Sequence, residues 1–389
     1  MMTTDAKKPT IAILMNSFWN SGEGISGGDV RLIQVFERIE ETFAAIDIYT
    51  SEQSRKIIGN RIKKANFIIS DQKYDKGSLF KAYFSREKWA KKEILKHKYD
   101  IVYASSDFFT DVNPCHVYKK KYPDIRWIQC IFHVYPDWKK RPGNKIVNLA
   151  GSLIQNRSFV KIKRKADAII NINSQVRDCL IQKMKFNKNL IHLNPCGADL
   201  NYFKKLKVEK KLNQAAFLAR LKPSKGIFEL VEIWKGVTKT VPSAKLMIIG
   251  GGSPETKEKL QGSIDAAKLH NNIFLNGFMD QEEAFKIVKE SQVFVFPSHE
   301  EGFGMAIAEA MACEVPAVAW NLEVYGEVFP KGLVQVKENN TASFAKEVIK
   351  LFKDDKYSRR MSLDAKEMVQ KYGLDEIAQE EKKIIFNQS

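Results

Sequence analysis

The sequence predicts two α/β domains, each a doubly wound parallel sheet with helices on both faces, and three observations carry that fold class. Short β-branched runs alternate with longer amphipathic stretches, which is how a parallel sheet under covering helices reads from sequence. The alternation comes in two successive sets. The chain has 389 residues, too many for one ordinary core and suited to two domains of roughly 150 to 200 residues each.

Taken in order, strands of the first set are expected at Thr10 to Leu14, Ala45 to Tyr49, Ile101 to Ala104, Trp127 to Phe132 and Ala168 to Ile172. Those of the second are expected at Ala215 to Ala219, Leu246 to Ile249, Ile273 to Leu275, Val293 to Phe296, Pro316 to Ala319 and Leu333 to Val336. The polar stretch Asn201 to Gln214 separates the sets, giving domains over 1–200 and 201–370. Residues 371–389 read as a terminal helix expected to pack back toward the first domain. In such sheets ligands bind outside the carboxyl ends of the strands, so the loops after these runs are where chemistry is sought.

Composition excludes several classes. Hydrophobic content of 44% with 12 prolines describes a folded chain, not a disordered one. The five cysteines, Cys115, Cys130, Cys179, Cys196 and Cys313, are scattered and form no CxxC pair, so neither a disulfide framework nor a zinc site is expected. No apolar run approaches the length of a membrane span, and the amino end lacks a signal-peptide pattern. A cytoplasmic protein is expected, and the sequons at Asn156, Asn339 and Asn387 are then chance matches.

The formal charge of +17 is unevenly placed, with +15 in residues 1–200 and +2 in the remainder. Residues 139–165 hold nine cations and no acid, interleaved with Ile146, Val147, Leu149, Leu153, Ile154, Phe159 and Val160. Such a segment can lie on an anionic membrane surface, each nearby cation contributing about 1 kcal/mol. It can also be an ordinary solvated basic face. Nucleic acid is disfavoured as a partner, because no zinc finger, RNP sequence or basic zipper occurs.

The second half is richer in motifs. After the strand Ala215 to Ala219 come Arg220 and Lys225 in "RLKPSKGIFELVEIW", and Ile227, Leu230, Val231 and Trp234 then follow helical spacing with Ser224 near the cap. Two cations at a strand end and a helix amino terminus make a place for an anion such as a diphosphate; two ordinary surface cations are the alternative. Downstream, "HEEGFGMAIAEAMACEVPAVAW" sets Glu301 and Glu309 on either side of a Gly302-Phe303-Gly304 turn, with a helix beginning around Met305. A helix apolar all round should be buried, and a buried carboxylate without partners costs several kcal/mol, so Glu309 is expected to have donors. Eight residues of helix span on the order of 12 Å, about the reach of a nucleoside diphosphate sugar from ribose to hexose. An ion pair between Glu309 and a neighbouring Lys or Arg is the alternative. "IIGGGSPE" is no GxGxxG fingerprint, and Pro254 stands where such a fingerprint would open its helix, so a nicotinamide cofactor is disfavoured.

These residues bring a family into view. The chain resembles the nucleotide-sugar-dependent glycosyltransferases of family 4 over most of its length. The Glu-x7-Glu pair Glu301 and Glu309 is the strongest element, preceded in order by "NPCGADLNYF", "LARLKPSKG", "IIGGGSPE" and "NGFMDQEE". The resemblance implies the GT-B architecture, two facing Rossmann-like domains with a cleft between them. It implies that Glu309 bonds the ribose, Glu301 faces the donor sugar, and Arg220 and Lys225 hold the diphosphate. Backbone amides of Gly302, Phe303 and Gly304 would meet sugar hydroxyls or diphosphate, and Gly277 and Phe278 would border the base. From the first domain, Gly27 and Gly28 match the family's glycine loop, and His133 matches a histidine near the reacting sugar; a satisfied core histidine is its other reading. Two departures stand out: "NSFWNSGEG" displaces the glycine loop, and Cys196 and Ala198 replace commoner residues after Asn194.

The implied function is retaining hexosyl transfer from a nucleoside diphosphate sugar to a glycan or lipid-linked acceptor in envelope polysaccharide or glycolipid synthesis; a peripheral place on the inner face of the cell membrane follows only on the membrane reading of the basic segment 139–165. No Asp-x-Asp sequence occurs, so no metal and no cofactor are expected, and the leaving diphosphate would be stabilised by Arg220, Lys225 and helix amides. Two other classes stand beside it: a nucleotide-sugar epimerase of the same fold, and a non-catalytic binder of nucleotide sugars or polyanions.

Overall fold

A computed structural model of the chain describes residues 8–16, 26–75, 78–135, 138–139 and 145–388. The loop expected from Asn16 to Gly24 lies outside the described residues beyond Asn16, as do Lys140 and Arg141 of the basic segment. Among the described residues the chain forms two compact units: one runs to Pro195 and resumes at Asp375, the other is Cys196 to Leu374.

The first unit is built on seven strands, β1 (Thr10–Leu14), β2 (Ala45–Thr50), β3 (Ala65–Ile69), β4 (Ile101–Ala104), β5 (Arg126–Cys130), β6 (Ala168–Asn171) and β7 (Ile191–Leu193). All pair in parallel, in the order β3-β2-β1-β4-β5-β6-β7. Two of these strands escape the sequence reading, and both are edges. Most of β3 is only half-buried and β7 has just three residues, so neither shows the continuous apolar run that burial on both faces imposes on central strands such as β4 and β6. β5 also ends at Cys130, two residues before the expected Phe132. That leaves Phe132 and His133 in the loop that follows.

The second unit has six strands, β8 (Gln214–Leu218), β9 (Lys245–Ile249), β10 (Ile273–Gly277), β11 (Val293–Phe296), β12 (Ala317–Trp320) and β13 (Leu333–Val336). They too are parallel, in the order β10-β9-β8-β11-β12-β13. All six were expected, β11 and β13 at the bounds found and the others with an end displaced by one or two residues. Pro316, which has no N–H to give the ladder, stays just outside β12 and offers its carbonyl to Phe294 N at 2.9 Å.

A buried ionic cluster ties the last helix, Leu374–Phe386, into the first unit. Arg31 and Glu381, both fully buried, pair at 2.5 Å. Tyr103 and Asn194 donate to the same carboxylate, and the Arg31 guanidinium also donates to the carbonyls of Asn194 and Pro195. A buried ion pair needs such extra partners, because desolvation otherwise outweighs the Coulombic gain.

Candidate functional site

Both sheets reverse direction beside their first strand. In the second unit the switch point lies between β8 and β11, so the crevice-forming loops there are Ala219 to Gly226 and Pro297 to Gly304. Glycines set how closely these loops approach. A Cβ on Gly226 would stand 2.0 Å from the Pro297 carbonyl oxygen, and its φ is +72°. A Cβ on Gly250 would stand 1.8 Å from the Ala219 carbonyl oxygen, at φ +149°. The glycine run after β9 is thereby explained as a packing requirement against the β8 loop. Pro254 is no obstacle to a helix there: it occupies the first turn of Pro254–Ala266 behind a Ser253 cap. Ser224 lies near the cap of the Ile227–Thr240 helix as expected, Gly226 being the cap itself, and the Ser224 carbonyl accepts from His299 N at 2.9 Å.

The loops carry the expected charges. Lys225 Nζ meets Glu301 Oε1 at 2.6 Å, and Ser298 Oγ donates to the same oxygen at 3.0 Å. The pair therefore joins the β8 loop to the β11 loop. Arg220, one turn of loop earlier and half-buried, has no carboxylate partner among the described residues. Phe303 is an anchor: it is 2% exposed and packs edge-on against Phe329 and Tyr372 at 5.6 and 5.0 Å. Gly304 follows at φ +95° as the cap of the Met305–Ala312 helix, with Gly302 on the other side of the anchor. Gly277 ends β10 at φ +71°, and Phe278 beyond it is 76% exposed.

Glu309 departs from expectation. The helix that carries it buries Ile307, Ala308, Ala310 and Met311, while Met305, Ala306 and Glu309 are half-buried on one face. The alternative ion pair is not formed: no side chain among the described residues bonds this carboxyl. Desolvation pushes its pKa up to about 8. A carboxyl held this way gains from any hydroxyl that donates to it.

A residue the sequence reading passed over stands beside the pair. His299 places Nδ1 2.6 Å from Glu338 Oε1 and Nε2 3.1 Å from Glu229 Oε1. With both carboxylates ionised, both ring nitrogens must donate, which requires the imidazolium. Desolvation works against the charge, but the bonds to Glu338 and Glu229 outweigh it and leave the pKa above the usual histidine value. This clasp fixes the start of the Glu301 loop. A folded pKa above the unfolded one makes the clasp fully stabilising below about pH 6.5 and weaker as pH rises through the folded value. Thermal melts should therefore show a deficit for His299→Ala at pH 6 that shrinks by pH 8.5; a pH-independent deficit would contradict the imidazolium.

The first-unit residues gather at the carboxyl end of the other sheet. Gly27 and Gly28 form the first turn of the Gly27–Ile39 helix behind the Ser26 cap, and Asp29 closes that cap. A Cβ on Gly28 would stand 3.0 Å from the Phe132 ring, so this glycine lets the helix close on the strand end beside His133. The His133 carbonyl accepts from Gln155 Nε2 at 2.9 Å, and its ring stands edge-on to Tyr135. The same Gln155 amide reaches Asp107 Oδ2 at 2.7 Å. Burial raises Asp107 to about 6 against that hydrogen bond. Asp107 was not singled out from sequence; its signal was position alone, three residues past the end of β4 at the switch point.

Comparison with known proteins places these features. Residues 199–368 match the family model described as glycosyl transferases group 1. The poly(glycerol-phosphate) alpha-glucosyltransferase of Bacillus subtilis is 30% identical over 174 residues, 43% of this chain and 25% of that protein. The 2-deoxystreptamine N-acetyl-D-glucosaminyltransferase of Niallia circulans is 22% identical over 244 residues, 60% of this chain and 62% of that one. The chain thus spans about a quarter of the first relative and under two thirds of the second. Among solved structures, Anabaena HepE in complex with UDP and glucose superposes with a TM-score of 0.75 at 14% identity, over 97% of this chain and 100% of that one. Sucrose-phosphate synthase from Thermosynechococcus elongatus does so with 0.74 at 16%, over 98% and 100%. Two parallel-sheet α/β domains of the GT-B fold are thereby shown, and the sequence likeness to glycosyl transferases group 1 lies in residues 199–368.

Proposed function

We propose that this protein is a retaining, metal-independent glycosyltransferase of family 4 that moves a hexose from a nucleoside diphosphate sugar to a glycan or lipid-linked acceptor. The observation that carries the reading is the charge arrangement at the second unit's switch point: Lys225 shared with Glu301, with an Arg220 that has no carboxylate partner and a Glu309 carboxyl that has no side-chain donor among the described residues. As the glycosidic bond to the diphosphate breaks, negative charge grows on the leaving phosphates and the sugar becomes oxocarbenium-like. Arg220 and Lys225 stabilise the first; Glu301, released from Lys225, faces the second. Ribose hydroxyls donate to Glu309, and Gly277 and Phe278 border the base. Gly27, Gly28 and His133 serve the acceptor side. The leaving phosphate accepts the acceptor's proton in a front-face attack, so no enzymatic nucleophile is required. The cations fill the electrostatic role a metal would otherwise take.

Incubation with a panel of nucleotide sugars, scoring nucleoside diphosphate release with and without membrane extract, tests this. Release that depends on the extract supports transfer. Interconversion of the sugar without release would indicate an epimerase, and binding without turnover a non-catalytic binder.

Glu309→Gln separates the ribose assignment from the rest. The folded carboxyl titrates at about 8 against an ordinary 4.5, so the wild-type fold loses stability relative to the variant as pH rises from 4.5 to 8, and by a constant amount above. The variant should melt higher at pH 8.5 while its donor affinity falls on the order of tenfold or more, the worth of a hydrogen bond to a charged group. Calorimetric melts and nucleotide titration read the two effects separately.

A further inference from the structure

The helix Lys145–Lys165 is turned inside out. It buries Asn148, Gln155 and Ser158 along with Phe159 and Ile162, and presents aliphatic side chains to solvent: Ile146 is 79% exposed, Leu153 50%, Val160 49% and Leu149 36%. At 3.6 residues per turn these four, with Arg157 and Arg164, fall within an arc of roughly 80°. Ordinary surface helices do the reverse. Arg157, Arg164 and Lys165 have no carboxylate partner among the described residues, and no acid occurs from Trp138 to Ala166.

We propose that this face docks the protein on an anionic lipid bilayer, the aliphatic side chains entering the headgroup and acyl boundary while the arginines and lysines meet lipid phosphates. Charge selects this occupant. A second copy would set one acid-free basic stripe against another, a repulsive pairing. A nucleic acid would leave the aliphatic stripe without a partner, since base stacking uses aromatic side chains. The described residues hold no helix long and apolar enough to cross a membrane, so this contact would be peripheral. The inference does not depend on the transferase reading.

Co-sedimentation of the full chain with vesicles tests it. Wild type should pellet with phosphatidylglycerol-containing vesicles, much less with pure phosphatidylcholine, and less again at high salt. Arg157→Gln with Arg164→Gln should lower binding on the order of tenfold or more, and Ile146→Ser with Leu153→Ser should lower it on the order of tenfold. Thermal melts and nucleoside diphosphate release with a soluble acceptor should match wild type in both, because neither pair lies among the donor-site residues. Equal recovery on neutral vesicles, or variants that sediment as wild type does, would overturn the proposal. So would a concentration-dependent dimer in solution that the serine pair abolishes, since the face would then belong to a second copy.

Discussion

Lys225→Ala is expected to lower turnover by on the order of 10² to 10³-fold, the scale of losing one preorganised charge donor at a developing anion. Arg220→Ala should follow closely. Neither should unfold the protein. The Lys225 and Glu301 side chains are 21% and 12% exposed, so water reaches the group left behind and the loss of stability stays below that of breaking a fully buried pair. The lysine variant should be the worse of the two, because it removes the cation from the diphosphate and also leaves the Glu301 carboxylate uncompensated beside it. Steady-state kinetics should place the loss in kcat more than in KM if the charge acts chiefly as the bond breaks. Full activity in either variant would remove the diphosphate assignment.

The second large effect falls on stability. Glu381→Ala strips the carboxylate from Arg31, which is 0% exposed, and leaves an uncompensated buried guanidinium. Breaking a buried pair in this way costs about 3 to 5 kcal/mol, which for a unit of this size is a fall in melting temperature on the order of 10 °C. Because the chain forms two units, the reading must separate their transitions. Calorimetry should show the first unit's transition moving down and the second's staying in place. Replacing both partners with apolar residues, Arg31→Met with Glu381→Leu, should recover most of the loss, since no charge is then stranded. A single-variant melt indistinguishable from wild type would show that the cluster is not holding the last helix.

Fold class and the central strands of each set were legible because they rest on local chemistry. β-branched runs, positive-φ glycines and the Gly302-Phe303-Gly304 turn announce themselves within a few residues. What stayed hidden depended on partners far away in the chain. The bond from Lys225 to Glu301 spans 76 positions and exists because the switch in strand order sets the β8 loop beside the β11 loop. His299 read as one loop residue among several, since its partners Glu229 and Glu338 lie 70 positions before it and 39 after it. Glu309 misled in the other direction: small neighbours such as Ala306 look like core in a sequence, yet on this helix they leave one face incompletely covered. The inverted helix Lys145–Lys165 could be suspected from its charge, but which side of it faced water was not readable until Asn148 and Gln155 were seen inside.

The return of the chain to its first unit at Asp375 carries a consequence for biosynthesis. The second unit's sheet is complete in the nascent polypeptide while the first still waits for Glu381 to emerge and neutralise Arg31. Ribosomes that stop shortly before that codon would release a half-finished molecule, its carboxy-terminal lobe sound and its amino-terminal lobe holding a stranded cation, an obvious target for cellular proteolysis.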